Sequence, residues 1–139
     1  MKLSENFSLH EFKVSADYPE LVHAIEFSPL DIVKIQYLVH VFFQPLRTGL
    51  KNPLKILSGK RSRGLNTAIG GSVRSDHMFT KGSAAADFTC KGIESVFNLL
   101  KQAENDYVYG QLIYYPKKKF IHISVPTVKH VGEHFVIDK

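Results

Sequence analysis

Residues 75–88 read SDHMFTKGSAAADF, and this stretch decides how the rest of the chain is interpreted. It places His77 and Asp87 ten positions apart, with a glycine and several small residues between them. A second histidine, His122, stands downstream in the apolar run FIHISV at residues 120–125. Two imidazoles and one carboxylate are a common ligand set for a catalytic zinc ion, which keeps a fourth position open for water. On these residues alone, a hydrogen-bonded core histidine at position 122 stands as the alternative.

The length and composition fit a single globular domain, which we assign to residues 1–139. The chain is 44% hydrophobic, which is ordinary for a folded protein, and it is long enough to bury a core without covalent staples. Cys90 is its only cysteine, which excludes an intrachain disulfide and a cysteine-rich zinc site. Any bound metal must therefore be held by nitrogen and oxygen.

The chain carries a formal net charge of +5, with an isoelectric point of about 9.3. This charge favours attraction to an anionic polymer, such as a cell wall or a nucleic acid. The lysines are scattered apart from the run at 117–119, so we do not favour nucleic-acid binding. No run of about 18 apolar residues is present, and we expect no membrane span. The start, MKLSEN, lacks the apolar region of a signal peptide, so we expect synthesis in the cytoplasm. Separately, we expect the protein to be a monomer.

The first half of the chain predicts a buried central helix. Ser28 and Asp31 are spaced as a capping box, with a proline at the first helical position, and residues 32–43 are apolar on most of their circumference. We expect His40 to be a core or edge histidine of this helix. Pro45 is expected to disturb the helix, and Gly49 is a plausible stop.

The second half predicts a small sheet with one further helix. Residues 59–72 read as a long loop that leads into His77, because they contain several glycines and charged side chains. Alternation and turn residues predict strands at 54–58, 84–89, 111–115 and 120–125, a helix at 92–104 that ends at 105–106, and a short tail strand at 134–137. The fold class is therefore α+β, with a small antiparallel sheet backed by helices.

Several separate blocks of sequence follow one another in a specific order. They are SGKRS at 58–62, LN at 65–66, IGGS at 69–72, SDH at 75–77, AADF at 85–88, QLIY at 111–114 and IHIS at 121–124. Over residues 5–125, this series resembles the D-Ala-D-Ala carboxypeptidase family of zinc peptidases, in its phage and bacterial branch. That family shares its fold with the signalling domain of hedgehog proteins. Residues 126–139 form a tail outside the resemblance.

The resemblance implies a role for individual residues. His77, Asp87 and His122 match the three zinc ligands. Arg61 matches an arginine that contacts the substrate or stabilises charge on the scissile carbonyl, and a loop salt bridge is the alternative for it. Ser75 matches a serine near the substrate backbone, with a turn-capping role as its alternative.

A further block begins at Gln111, which we expect to contact the substrate.

In the family pattern, the aspartate ligand comes seven residues after the first histidine, whereas Asp87 comes ten after His77. Residues 78–81 are therefore expected to be an insertion in a connecting turn, because loops tolerate changes of length.

The acidic general base of the family pattern is missing. Relatives place an acid three residues before the last ligand, where this chain has Lys119, or at the end of the preceding strand, where it has Tyr115. Glu133 in the tail is our candidate catalytic base, with Asp76 as the alternative. The tail also contains His130 and His134, which we expect to lie on the surface. The alternative is that one of them reaches the site, either as the base or as an additional metal ligand.

The resulting functional hypothesis is a zinc-dependent peptidase that acts on peptidoglycan stem peptides. It would be a D,D-carboxypeptidase or an endopeptidase, is expected to be phage-encoded or bacterial, and would reach the wall by lysis or with a virion. The second hypothesis is a catalytically impaired zinc protein that binds the cell wall or serves as a phage structural protein. A basic protein with a nucleic-acid or assembly role is the third.

Overall fold

The computed structural model describes residues 1–102 and 108–139. They form one five-stranded sheet with helices, in the strand order β1-β2-β4-β3-β5. The strands are β1 (Lys55–Ser58), β2 (Ala85–Thr89), β3 (Gln111–Tyr115), β4 (Phe120–Ser124) and β5 (Glu133–Val136). The four helices are α1 (Pro29–Leu38), α2 (Gln44–Leu50), α3 (Arg63–Ala68) and α4 (Ile93–Lys101). The predicted α+β class is confirmed. In the described part of the chain, none of the helices combines the length and the apolar character needed to cross a membrane.

The sheet is mixed rather than purely antiparallel. Strands β1 to β4 pair antiparallel, but β5 pairs parallel with β3 at the edge. The connection from β4 to β5 reverses the chain once and passes the start of β3, where the Gly132 amide donates to the Tyr109 carbonyl, so β5 runs parallel to β3. The predicted tail strand is confirmed, shifted by one residue to Glu133–Val136.

Helix α1 begins as the sequence predicts. The hydroxyl of Ser28 accepts a hydrogen bond from the Asp31 amide over 3.1 Å, and the Asp31 carboxylate accepts one from the Ser28 amide over 3.0 Å. This reciprocal pair satisfies two amides that the first helical turn leaves without partners. The helix therefore starts at Pro29, where a missing N–H costs nothing.

The helical run ends at Leu50, one residue after the predicted stop at Gly49, and Pro45 disturbs the helix without ending it. A π-helical turn, Val39–Phe43, follows α1 and leads directly into α2, which ends at Leu50 and is followed by Lys51 with a left-handed φ of 56°. Proline lies in the first turn of α2, just after the wide π turn, where its fixed φ is compatible with a helix. His40 is exposed on the π turn, so it is an edge residue and not a core one.

A helix occupies part of the predicted loop at 59–72. Helix α3 starts after Ser62, whose hydroxyl accepts a hydrogen bond from the Leu65 amide over 3.2 Å. Only Leu65 and Asn66 of this helix are buried, so it lacks the apolar stripe by which helices are usually identified. The interpretation as a continuous loop was wrong for this reason.

The core lies between one face of the sheet and the continuous helical run formed by α1, the π turn and α2. Phe43 makes ring contacts with Phe7, Phe12 and Phe88, at centroid distances of 5.2 to 5.9 Å. Helix α4 also packs on the sheet, and it ends at Lys101 within the described residues. The predicted continuation to 104 and the end at 105–106 lie outside the described residues. Since successive strand residues point to opposite faces, the opposite face is left for polar side chains.

Candidate metal centre

Asp87 on β2 and His122 on β4 are directly paired across the two adjacent strands. Their strand neighbours Ala86, Phe88 and Ile121 are fully buried. Alternation along each strand therefore turns Asp87 and His122 together onto the face away from this core.

His77 reaches the same place from a short 3-10 turn, Asp76–Met78. The Ser75 hydroxyl caps this turn by accepting a hydrogen bond from the His77 amide over 3.2 Å. The insertion that follows is compact, because Phe79 and Lys81 both take left-handed backbone conformations, with φ of 59° and 52°. The ten-residue spacing is thus absorbed by tight turns, as expected, and His77 is only 2% exposed.

The three side chains converge on one point. Oδ1 of Asp87 lies 3.1 Å from Nε2 of His77 and 2.9 Å from Nδ1 of His122, and the two nitrogens are 3.2 Å apart. Tetrahedral zinc with ligands at about 2.0–2.1 Å holds them roughly 3.3 Å from one another. The observed separations are close to that arrangement, and these three residues form a group that can hold a divalent ion.

The hydrogen bonding of His77 also fits a cation. Its Nδ1 lies 2.7 Å from the carbonyl oxygen of Gly59, which accepts hydrogen bonds only, so Nδ1 donates. The neutral ring then directs the lone pair of Nε2 towards the carboxylate of Asp87, which is itself an acceptor. A positive ion between these two acceptors removes the conflict. A backbone carbonyl that orients a histidine in this way is a common support for metal ligands.

Protonation states agree with a metal-binding role. Burial would raise the pKa of Asp87, but the adjacent imidazoles of His77 and His122 outweigh it and hold that pKa well below its usual range. Burial lowers the pKa of His77, and the neighbouring Asp87 only partly opposes this. A carboxylate and a neutral imidazole are the forms that ligate metals.

Arg61 lies beside this group. Its Nη2 is 4.0 Å from Oδ2 of Asp87, and Nη1 donates to Oδ1 of Asn66 over 3.3 Å. Within the described residues, its buried Nε makes no hydrogen bond. The backbone amide of Arg61 donates to the carbonyl of His77 over 2.8 Å, which links the two residues directly.

Asn66 on α3 is the support that the sequence did not reveal. Besides accepting from Arg61, its side-chain amide donates to the carbonyls of Gly71 and Ser72 over 3.2 and 2.9 Å. It therefore fixes both the arginine and the chain that leads to His77. The sequence did contain a signal for the start of α3, the helix that carries Asn66. This signal is Ser62, a residue type that favours helix N-caps, three positions before Leu65.

Lys34 is a second supporting residue of the site that was not predicted from the sequence. It is buried on α1, and its Nζ donates to the carbonyls of Phe79 and Ser83 over 3.0 and 2.9 Å. Asp31 lies 3.6 Å from the same ammonium. The only available signal was the spacing of three residues between these opposite charges in an otherwise apolar helix.

A cleft of about 430 Å³ opens over the three converging side chains. Of the predicted site residues, Arg61, Ser75 and Gln111 line it, together with Asp76. Tyr115 also lines it and stacks on Phe120, with ring centroids 4.5 Å apart. Lys119 is exposed in the turn between β3 and β4, where its carbonyl accepts from Thr89 over 2.6 Å. Neither of the family's acid positions therefore places a carboxylate in the cleft.

Glu133 approaches the cleft through a neighbour. It lies at the start of β5, paired with Gln111, and its Oε2 is 2.6 Å from Nδ1 of His130. His130 lines the cleft and is only partly exposed, which corrects the expectation of a surface histidine. His134, by contrast, is exposed as expected.

Comparison with known proteins gives one result. No curated protein matches the chain, but the family model described as Peptidase M15 matches residues 6–124. This range includes His77, Asp87 and His122, and it ends before His130 and Glu133. The peptidases of this family are metalloenzymes, usually with zinc. The chain belongs to the M15 peptidase family, the zinc peptidases of the D-Ala-D-Ala carboxypeptidase type.

Proposed function

We propose that this protein is a zinc-dependent peptidase that cleaves peptidoglycan stem peptides, as a D,D-carboxypeptidase or an endopeptidase. The observation that carries the proposal is the convergence of His77, Asp87 and His122 on an open cleft in a chain of the M15 family. In this proposal, Nε2 of His77, Nδ1 of His122 and the Asp87 carboxylate hold the ion. Bound zinc supplies Lewis acidity and lowers the pKa of its water to about 7.

Arg61 is proposed to bind the substrate and to assist catalysis. Its guanidinium is partly buried at the cleft, held on one side by Asn66, and its contact with Asp87 is long at 4.0 Å. An always-charged donor that is not fully paired suits a carbonyl oxygen on which negative charge develops, or a terminal carboxylate. Uncompensated donors of this kind act most strongly where water is excluded.

The cleft walls are proposed to hold the peptide. Ser75 and Gln111 both line the cleft and offer hydroxyl and amide groups to a peptide backbone. Three further cationic side chains, Arg74, Lys118 and Lys139, line the same cleft. Stem peptides carry free carboxylates, and a cationic wall attracts such substrates.

A second candidate function is a zinc-containing protein that binds the wall without hydrolysing it. The observation that favours it is that Tyr115 and Lys119 occupy the positions where the family pattern has an acid. Among the described residues that line the cleft, only Asp76 and Asp87 carry carboxylates. If no other group moves the proton, the site would bind a metal and a peptide but not cut the peptide.

Peptide release from purified peptidoglycan by the zinc-loaded protein tests the proposal. Metal-dependent release is expected, with loss in His122→Ala and in chelated protein and no change in His40→Ala, an exposed histidine that does not line the cleft. Free D-alanine among the products would identify a carboxypeptidase, and cut cross-links would identify an endopeptidase. One equivalent of bound zinc with no release from several wall types would reject the peptidase and leave the binding protein.

A further inference from the structure

We propose that His130 is the acid–base group of this site and that Glu133 is the residue that positions it. The inference rests on the proposed function, because it concerns the step in which water attacks a peptide bond. The usual acid positions hold Lys119 and Tyr115, neither of which is an ordinary carboxylate base. A histidine that lines the same cleft can serve as a general base and then as a general acid.

The hydrogen bond between the two residues fixes the state of the ring. Nδ1 of His130 and Oε2 of Glu133 are 2.6 Å apart, a short separation typical of bonds that involve a charged partner. A carboxylate only accepts, so the proton lies on Nδ1. The neutral ring then carries its lone pair on Nε2, which is the nitrogen not engaged by Glu133. This is the relation between an orienting carboxylate and a catalytic imidazole in other hydrolytic sites.

The segment that carries His130 is held by its own hydrogen bonds. The His130 amide donates to the Thr127 hydroxyl over 3.1 Å, and the Thr127 amide donates to the His130 carbonyl over 2.9 Å. Two residues later, the Gly132 amide donates to the Tyr109 carbonyl over 2.8 Å, just before β5 pairs with β3. Pairing at the sheet edge therefore fixes the backbone that carries His130 relative to Gln111, which also lines the cleft. The imidazole ring is then held by its hydrogen bond to Glu133.

Hydrolysis of the peptide bond in this way needs only water, and the proton that His130 takes up is returned to the leaving amine. Nε2 of His130 takes a proton from water as the water oxygen bonds to the scissile carbonyl carbon, and the carbonyl π electrons move to its oxygen. Arg61 donates to that oxyanion. The imidazolium then gives its proton to the amide nitrogen as the C–N bond breaks, which leaves a carboxyl group and an amine.

Both residues lie outside the segment that the family model matches, which ends at residue 124. The acid–base group is therefore a feature of the tail of this chain and not of the matched positions. The tail contributes it through β5, the strand that the sheet adds at its edge.

The experiment compares zinc-loaded wild type, His130→Ala and Glu133→Gln on a soluble stem peptide, with His134→Ala as the control from the same tail. We expect His130→Ala to lower kcat by about 100-fold or more, the usual contribution of an acid–base group. Its zinc stoichiometry, its zinc Kd by titration calorimetry and its KM are expected to stay close to those of wild type. Added imidazole is expected to restore part of the activity of His130→Gly.

Glu133 needs a readout that a purely structural residue would not change. We expect Glu133→Gln to lower kcat and Glu133→Asp to recover part of it, with KM little changed. In the metal-free protein, nitrogen NMR of the His130 ring is expected to show the Nδ1–H form in wild type and a mixture in Glu133→Gln.

Three outcomes would overturn the inference. An active wild type with an equally active His130→Ala would reject it alone and leave the peptidase in place. Loss of zinc from His130→Ala would identify His130 as a ligand instead. A wild type that binds zinc and releases no peptide would reject the proposed function, and the catalytic role of His130 with it.

Discussion

The buried ammonium of Lys34 donates to the backbone carbonyl of Phe79 over 3.0 Å, and so ties helix α1 to the insertion that follows His77. The same ammonium reaches the carbonyl of Ser83, two residues beyond the insertion. One side chain therefore holds both the insertion and the segment that follows it. The position of His77 depends on this attachment, because the insertion begins one residue after it.

Replacing Lys34 with methionine tests how much this attachment contributes. The change keeps the apolar stem but leaves two buried carbonyls without a donor, and we expect the free energy of unfolding to fall by about 2 kcal/mol or more. Urea unfolding of the metal-free protein measures it. Lys55→Met, which changes an exposed lysine of β1, is expected to have little effect. Equal stabilities of the two variants would show that the carbonyls find other partners.

Asp31 makes stability depend on pH in the acid range. Burial would raise its pKa, but hydrogen bonds from Lys60 and Ser28 outweigh this and lower it below the ordinary value of 3.8. The folded state then binds the proton less readily than the unfolded state, so this stabilisation is complete above pH 3.8 and is lost as the pH falls through the lower folded value. We expect Asp31→Asn to be less stable at pH 7, with a difference from wild type that shrinks below pH 3.8.

Unfolding curves of chelated protein between pH 7 and pH 2.5 measure that difference. The exposed Asp17 offers a matched control, since Asp17→Asn should follow wild type across the range. A difference between Asp31→Asn and wild type that stays constant on acidification would contradict the assignment.

Gly59 is expected to tolerate no side chain. A methyl group there would overlap the carbonyl oxygen of Phe12, and the Gly59 carbonyl is the acceptor that orients His77. We expect Gly59→Ala to lower stability and to weaken zinc binding by roughly 10- to 100-fold, as loss of a support behind a ligand does. Zinc titration calorimetry and thermal unfolding measure both effects.

Gly49 supplies the control for this substitution. It lies in helix α2, where an added Cβ meets nothing within 4 Å, so Gly49→Ala should stabilise the protein by about 0.7 kcal/mol. Normal zinc affinity in Gly59→Ala would show that the carbonyl of residue 59 does not orient the ligand.

Zinc is expected to stabilise the fold through Asp87. A ligand that binds only the folded state at 100 times its Kd adds about 2.7 kcal/mol to the free energy of unfolding. We therefore expect the melting temperature to rise with added zinc in wild type and to stay constant in Asp87→Asn. A zinc-induced rise that persists in Asp87→Asn would place the ion elsewhere.

The sequence predicted well wherever the signals are local. The capping box at Ser28 and Asp31, the hairpin of β3 and β4, and the small residues of β2 each depend on neighbours along the chain. The metal-site prediction depended mainly on the resemblance, because His77 and His122 are far apart in sequence and meet only across the folded sheet.

The predictions failed where distant contacts decide. Helix α3 lacks an apolar stripe and is fixed by Asn66, which binds chain segments on both sides of it. A disturbance of the helix at Pro45 was predicted, but its form was not, because the π turn that precedes Pro45 has no sequence signature of its own. The direction of β5 depends on which strand edge remains available after the hairpin has formed.

The two central strands and the edge strand differ in how easily they open. Asp87 and His122 lie on β2 and β4, each flanked by a strand on both sides, whereas β5 has a neighbour on one side only. Amide exchange in native proteins is slowest in such central strands and fastest at edges that open locally. Opening of β5 would withdraw Glu133 and leave the three converging side chains assembled. The proton transfer that we propose for the tail would therefore be interrupted at a lower cost in free energy than the assembly of the three candidate metal ligands.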